Sequence, residues 1–328
     1  MTQKRPIKIL LNEDLNHLWP TKRDLIDELS HEFPNVTFQQ AYTENEQQLQ
    51  IVDADATFGI PASNIFTLNK QLKWVHHPMS GFELEPNHPI IHSKVTLTNA
   101  PNAHVIPMAE YVFATMLSIT HRLEDHFKDQ RSKTLDSTKY LSSVKDLNGQ
   151  NLGIIGYGEV GKAIAKRAYG FGMNIYGLSR SSTSSKSDIA TVWPSSQLNQ
   201  LLKLSDWIVI AAPLTNETRN MINSKNIQII RKNAHVIVLS RPHIINENAL
   251  ITALCNGQLA GAVFDNLEGK WLEPSSPLWE MKNVIITPHT SSMSWNLEKD
   301  RFNIYRHNVN SFICGDQFIR VADKSLGY

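Results

Sequence analysis

Short apolar runs alternate with helical stretches and polar turns from end to end of this chain. Residues 7–11, 36–40, 72–76 and 95–98 read as strands. Ala54, Ala56, Phe58 and Gly59 mark another, which enters a turn at Pro61. Residues 24–33 suit a helix. Asn99-Ala100-Pro101 is a break and a hinge point. In 107–121, Met108, Tyr111, Val112, Thr115, Met116 and Ile119 recur at helical spacing, and 129–144 is polar and irregular. Further strand-like runs lie at 152–155, 173–178, 207–211, 236–239, 260–264 and 284–287. Residues 296–313 suit a last helix, with Gly315 as its stop and a tail that turns back to the first domain. Strands alternating with helices imply an α/β chain with parallel sheets.

The stretch 148–182 organises the rest. An apolar strand, 152–155, leads into Gly156, Gly158 and Gly161, spaced G-x-G-x-x-G. Val160, Ala163, Ile164, Ala165 and Ala168 then follow a helical period. Gly170 and Gly172 close that helix before the next strand. In this context the glycines have physical tasks. Gly156 allows a tight turn, Gly158 lets a pyrophosphate approach the backbone, and Gly161 lets the helix pack on the sheet. The helix N-terminus offers N–H groups to phosphate. The unit predicts a dinucleotide site.

The second strand ends in Ser179 and Arg180, where a carboxylate would hold the ribose 2′-hydroxyl of NAD. The loop reads SRSSTSSKSD, so Arg180 and hydroxyls such as Ser181 stand there instead. They suit a 2′-phosphate, which favours NADP over NAD. The alternative is a merely polar loop, the one low-complexity stretch of the chain.

Composition narrows the class. The 328 residues suffice for two domains, and 41% apolar with 19% charged residues is ordinary for a globular protein. A net charge of +1 gives no case for nucleic acid or an anionic membrane as partner. Cys255 and Cys314 lack metal-ligand spacing, so no metal is expected. They read as packed thiols in a reducing cytoplasm. The apolar part of the N-terminus is too short for a signal peptide. The apolar stretch 111–119 is a buried helix and not a membrane span.

Several strands of the second half end in polar residues: Pro213-Leu214-Thr215, Ser240-Arg241-Pro242, Asp265, and Pro288-His289. Ligands of doubly wound sheets lie beyond the carboxyl ends of the strands. Arg241, Asp265 and His289 therefore share one edge. Singly, each has a plain reading as a solvated or capping side chain.

Four segments, in order, resemble the D-2-hydroxyacid dehydrogenase family over nearly the whole chain. They are LNGQNLGIIGYGEVGKAIAKRAYGFGM, AAPLTNETRNMIN, VIVLSRPHIINENAL and GAVFDNLEGKWLEPSSPLWEMKNVIITPHT. The Ser-Arg after the second strand and the Gly-Tyr ending look most like the glyoxylate/hydroxypyruvate reductase branch. The resemblance implies two Rossmann-like domains, the first flavodoxin-like and discontinuous, with the active site in the cleft between them. Residues 1–99 plus 297–328 would be the substrate domain and 100–296 the NAD(P)-binding domain. Arg241 would grip the substrate's carboxylate and keto oxygen. His289 would give the proton, and the backbone of Met79, Ser80 and Gly81 would hold the carboxylate. Asp265 would approach the nicotinamide, and Glu159 and Val160 the pyrophosphate. Tyr157, Pro213, Thr218, Leu239 and Ser240, with Arg241 and His289, complete the expected cofactor contacts. The region around Tyr111 would make a homodimer. His76, His77, His104 and His121 read as ordinary, with His76 and His77 close to the substrate loop.

Two departures stand out. The family usually has a Glu five residues after the Asp, followed by Pro, and this Glu supports the catalytic His. The ungapped register puts Lys270 there, with Glu268 and Glu273 as alternatives. A histidine without a partner titrates near 6.5, so only about a tenth is protonated at pH 7.5. A nearby lysine opposes protonation further. Reduction would then be weak or confined to acid pH. Pro242 replaces the usual Gly, which pushes Arg241 towards extended backbone and removes an N–H. The expected activity is reduction of a small 2-ketoacid, like glyoxylate or hydroxypyruvate, to the D-2-hydroxyacid. The rivals are a catalytically weak NAD(P)-binding sensor and a phosphoglycerate dehydrogenase-like enzyme.

Overall fold

The computed structural model describes residues 5–12, 22–82, 84–85, 87–180 and 185–324, and the side chains of 22–25 and of Leu272 are outside that description. The chain divides into two compact units, Met1–His104 with Ser294–Tyr328, and Val105–Met293. Each is an α/β layer structure of the Rossmann kind, and the first is assembled from two stretches of chain.

Unit 1 holds β1 (Ile7–Asn12), β2 (Val36–Ala41), β3 (Ala56–Phe58), β4 (Trp74–His76) and β5 (Thr96–Thr98). All pair in parallel, in the order β2-β1-β3-β4-β5. This is the flavodoxin-like order. Ile9, Leu11, Phe58 and Trp74 on one face meet Phe302, Tyr305 and Val309 of the helix Leu297–Cys314. The tail then runs back along β5. Val321 bridges Thr98, and Ala322 N–H donates to the Leu97 carbonyl at 2.8 Å.

Unit 2 holds β6 (Asn151–Ile155), β7 (Asn174–Ser179), β8 (Ser185–Lys186), β9 (Thr191–Pro194), β10 (Trp207–Ile210), β11 (His235–Val238), β12 (Gly261–Phe264) and β13 (Val284–Ile286). The order is β13-β12-β11-β10-β6-β7-β9-β8, parallel throughout except for β8. The order reverses between β6 and β10, the switch point at which such sheets bind ligands. The central strands are buried on both faces, which is why they read as unbroken apolar runs.

Three local expectations are corrected. The helix expected from Pro107 begins at Asn102 and carries Pro107 inside it. Its opening stretch lies between Pro101 and Pro107, which reads as a break in sequence and disguised the first turn. The stretch taken as irregular from Asp129 contains the end of the helix Leu123–Ser132. That helix buries no residue, so it lacks the apolar stripe that marks a helix in sequence. Cys255 and Cys314 are both exposed free thiols, each the last residue of its helix, and not packed. No helix of the described residues is long and apolar enough to cross a membrane.

Burial keeps several histidines neutral. His76 is lowered to about 3, and His77 and His235 to about 4, from an ordinary 6.5. The unfolded chain thus binds more protons than the folded one as pH falls from 6.5 towards 4. The stability from neutral burial is complete above 6.5 and is lost through that window. The urea midpoint is therefore expected to fall between pH 7 and pH 5. An unchanged midpoint would contradict this burial.

Candidate functional site

In unit 2 the glycine turn follows β6. Gly156 has φ +99°, and a Cβ there would lie 2.4 Å from the Ala212 nitrogen, so only glycine fits. Gly156 and Tyr157 N–H groups both donate to the Leu178 carbonyl, at 3.1 and 2.8 Å, which ties the turn to the end of β7. Around Gly158 no described residue lies within 4 Å of a Cβ position, so the backbone there is open. Gly158 caps the helix Glu159–Gly170, and the first intrahelical bond comes from Lys162. A Cβ on Gly161 would meet the Gly156 carbonyl at 2.4 Å and Ile154 at 3.2 Å. Gly156 and Gly161 thus sit where a side chain would clash, and Gly158 sits where it would not. A pyrophosphate fits this cradle.

The neighbouring expected residues fall at the same carboxyl edge. Tyr157 lies over Gly177 of β7, where any Cβ would strike its ring. Val160 packs on the core beneath, and Glu159 pairs with Lys162 at 3.2 Å. Ser179 ends β7, and Arg180 after it is exposed. Ser181 lies outside the described residues. After β10 the Thr218 hydroxyl donates to the Pro213 carbonyl at 2.7 Å and accepts the Thr215 N–H at 2.7 Å. It closes that turn on itself. Leu239 is buried, and Ser240 Oγ donates to the Ile210 carbonyl at 3.4 Å. Arg241 has φ −127° and ψ 134°, the extended geometry that Pro242 imposes on the residue before it.

Asp265, at the end of β12, is wholly buried. Its carboxylate accepts the Thr287 hydroxyl at 2.6 Å, the Thr290 N–H at 2.8 Å and the Ser291 N–H at 2.9 Å. Its carbonyl accepts the His289 N–H at 2.7 Å. His289 sits at φ +56°, a left-handed conformation that a non-glycine residue adopts only when held. Asp265 supplies the hold. Thr287 donates to Asp265, so the Tyr111 hydroxyl, 2.6 Å from Thr287, must donate to Thr287. Burial pushes the Tyr111 phenol up to about 12, and the nearby Asp265 adds to the shift against the Thr287 hydrogen bond. Tyr111 therefore stays a donor. Sequence alone could not show this chain, since Tyr111 and Thr287 lie 176 residues apart.

The three groups that could have stood in for the family's Glu are accounted for. Glu268 pairs with His243 Nδ1 at 3.1 Å. Trp271 is buried against Phe264 and fixes the loop, leaving Lys270 and Glu273 exposed. Among the described residues none of the three makes a hydrogen bond or ion pair with His289.

In unit 1, each carbonyl of the turn Met79–Gly81 is tied down. Met79 O accepts the Ala100 N–H at 3.0 Å, Ser80 O accepts Asn99 Nδ2 at 2.6 Å, and Gly81 O accepts His77 Nε2 at 3.2 Å. With the carbonyls held, no hydrogen bond is recorded for the N–H groups of Ser80 and Gly81 among the described residues. His77, noted in sequence as close to this loop, and Asn99, in the expected hinge, are positioning groups for the turn.

A profile of the "D-isomer specific 2-hydroxyacid dehydrogenase, NAD binding domain" matches residues 113–291. The chain belongs to the D-isomer specific 2-hydroxyacid dehydrogenase family. It is 32% identical over 230 residues to the glyoxylate reductase of Thermococcus litoralis, covering 68% of each chain. A family protein of Aeromonas salmonicida has the same fold, with TM-score 0.79 and 27% identity over 98% of this chain and 100% of that one. The NADPH-dependent glyoxylate/hydroxypyruvate reductase of Sinorhizobium meliloti, solved with NADP and sulfate, has TM-score 0.80 at 21% identity, over 98% and 100% of the chains. The family is one of NAD(P)-dependent 2-hydroxyacid dehydrogenases.

One consequence concerns Lys270. Replacing it with Glu restores the residue type that the family uses beside its histidine. Lys270→Glu is expected to extend turnover to higher pH. A pH–rate profile identical to wild type would show that position 270 has no influence on the proton donor.

Proposed function

We propose that the chain reduces a small 2-ketoacid, such as glyoxylate or hydroxypyruvate, to the D-2-hydroxyacid with NADPH. The observation that carries this reading is the His289 loop, fixed by Asp265 at the edge that also carries the glycine cradle. The bound nicotinamide supplies a hydride to the keto carbon. His289 gives a proton to the keto oxygen. Arg241, with its planar guanidinium, grips the carboxylate and keto oxygen. The N–H groups of the Met79–Gly81 turn hold the carboxylate. Gly156, Gly158 and Gly161 take the pyrophosphate.

The preference for NADPH rests on Arg180, with Ser179, at a position free of acids. The complex of the Sinorhizobium relative with NADP agrees with it. The second-copy partner rests on the apolar side chains that the 123–144 segment exposes. Phe127, Leu135 and Leu141 are among them, and Leu135 is fully exposed. A surface of this kind is usually covered by a partner. Two free thiols agree with a reducing cytoplasm.

The test is NADPH oxidation by the purified chain with glyoxylate and hydroxypyruvate, with NADH alongside. His289→Ala is expected to lower kcat by about a hundredfold or more. Arg180→Asp is expected to reverse the preference towards NADH. NADPH binding without turnover of either 2-ketoacid would overturn the reading and favour a sensor.

A further inference from the structure

Unit 1 buries a charged side chain, Arg301, that has no counter-charge among the described residues. Arg301, in the helix Leu297–Cys314, is only 4% exposed. One of its N–H groups donates to His104 Nε2 at 3.4 Å, a neutral acceptor. Its Nε has no hydrogen-bond partner among the described residues. No carboxylate lies within ion-pair distance of it among them. Burial lowers its pKa, and the field of Glu298, one turn earlier, opposes that only in part. An arginine this deep is normally paired.

Other unsatisfied polar atoms gather beside it. The Tyr305 hydroxyl, one helical turn on, and His76 Nε2 are buried with no hydrogen-bond partner among the described residues. The two rings lie 5.2 Å apart. His77, next in the chain, feels the Arg301 charge and holds the Gly81 carbonyl of the Met79–Gly81 turn. A cluster of orphaned buried polar groups calls for a missing partner. A guanidinium only donates, so that partner is an acceptor, and its charge makes an anion the natural one. Neither a cation nor an apolar group satisfies it.

We propose that Arg301 is a further substrate-binding residue whose guanidinium takes a carboxylate of the 2-ketoacid. This rests on the reductase reading above. The planar fork suits a carboxylate, which it can bind through two parallel hydrogen bonds. The carboxylate has two sources: the group next to the keto carbon, common to all 2-ketoacids, or the second carboxylate of a dicarboxylic one.

The experiment compares wild type, Arg301→Lys and Arg301→Met with glyoxylate, hydroxypyruvate, oxaloacetate and 2-oxoglutarate at saturating NADPH. Arg301→Met is expected to raise KM by about tenfold or more, with kcat within about threefold of wild type and NADPH affinity unchanged. Arg301→Lys recovers part of the loss, because it keeps the charge but not the fork. A rise for all four substrates assigns the common carboxylate, and a rise confined to oxaloacetate and 2-oxoglutarate assigns the second. Unchanged KM for every substrate overturns the proposal. Binding is read separately by melting temperature with acetate and malonate. A rise in wild type that Arg301→Met lacks supports the anion site even if no 2-ketoacid turns over, in which case only the reductase reading fails. Wild type unmoved by either anion overturns the site. If Arg301→Met does not fold, Arg301→Lys and the wild-type shifts decide.

Discussion

The buried carboxylate of Asp265 holds together the loop that bears His289. Three donors, the Thr287 hydroxyl and the Thr290 and Ser291 N–H groups, converge on its oxygens, and its carbonyl takes the His289 N–H. A carboxylate taken out of water is tolerable only when its oxygens are satisfied in this way. The arrangement also keeps His289 at a backbone angle that it would not choose alone. Through Thr287 the hold extends to Tyr111, so a helix distant in sequence is part of the support. The resemblance to the family suggested that Asp265 meets the nicotinamide. The geometry gives its carboxylate work inside the loop.

The same logic of held backbone recurs in both units. The glycine turn works because Gly156 takes a left-handed angle against Ala212 and because Gly158 leaves open space. The Met79–Gly81 turn has its carbonyls pinned by Ala100, Asn99 and His77, which leaves its N–H groups for other use. In each case one side of a polar turn is held by hydrogen bonds or close packing within its own unit. Buried histidines kept neutral, His77 above all, supply donors that do not change with pH near neutrality.

Periodicity made the sheets legible. The central strands of unit 2 are buried on both faces and so appear as apolar runs, and the glycine spacing marked the tight turn after β6 and the close packing of its helix. What escaped was structure whose cause is distant or small. The helix Leu123–Ser132 buries nothing and carried no stripe. The thiols of Cys255 and Cys314 looked packed because their sequence neighbours are apolar, yet each ends a helix and faces out. The pairing of Glu268 with His243, the pinning of the Met79–Gly81 turn and the orphaned Arg301 all depend on contacts between segments far apart in the chain. Pro242 is the opposite case, a purely local effect on Arg241 that the sequence foretold and the backbone angles show.

The most direct measurement is kcat for 2-ketoacid reduction, with NADPH affinity, in Asp265→Asn. The amide keeps one acceptor oxygen and puts an NH2 donor where the other oxygen accepts, facing a donor it cannot satisfy. If Asp265 acts by holding the His289 loop, kcat falls by about a hundredfold while NADPH binds nearly as before. Loss of NADPH affinity with kcat retained at saturation would place Asp265 on the cofactor and contradict the account.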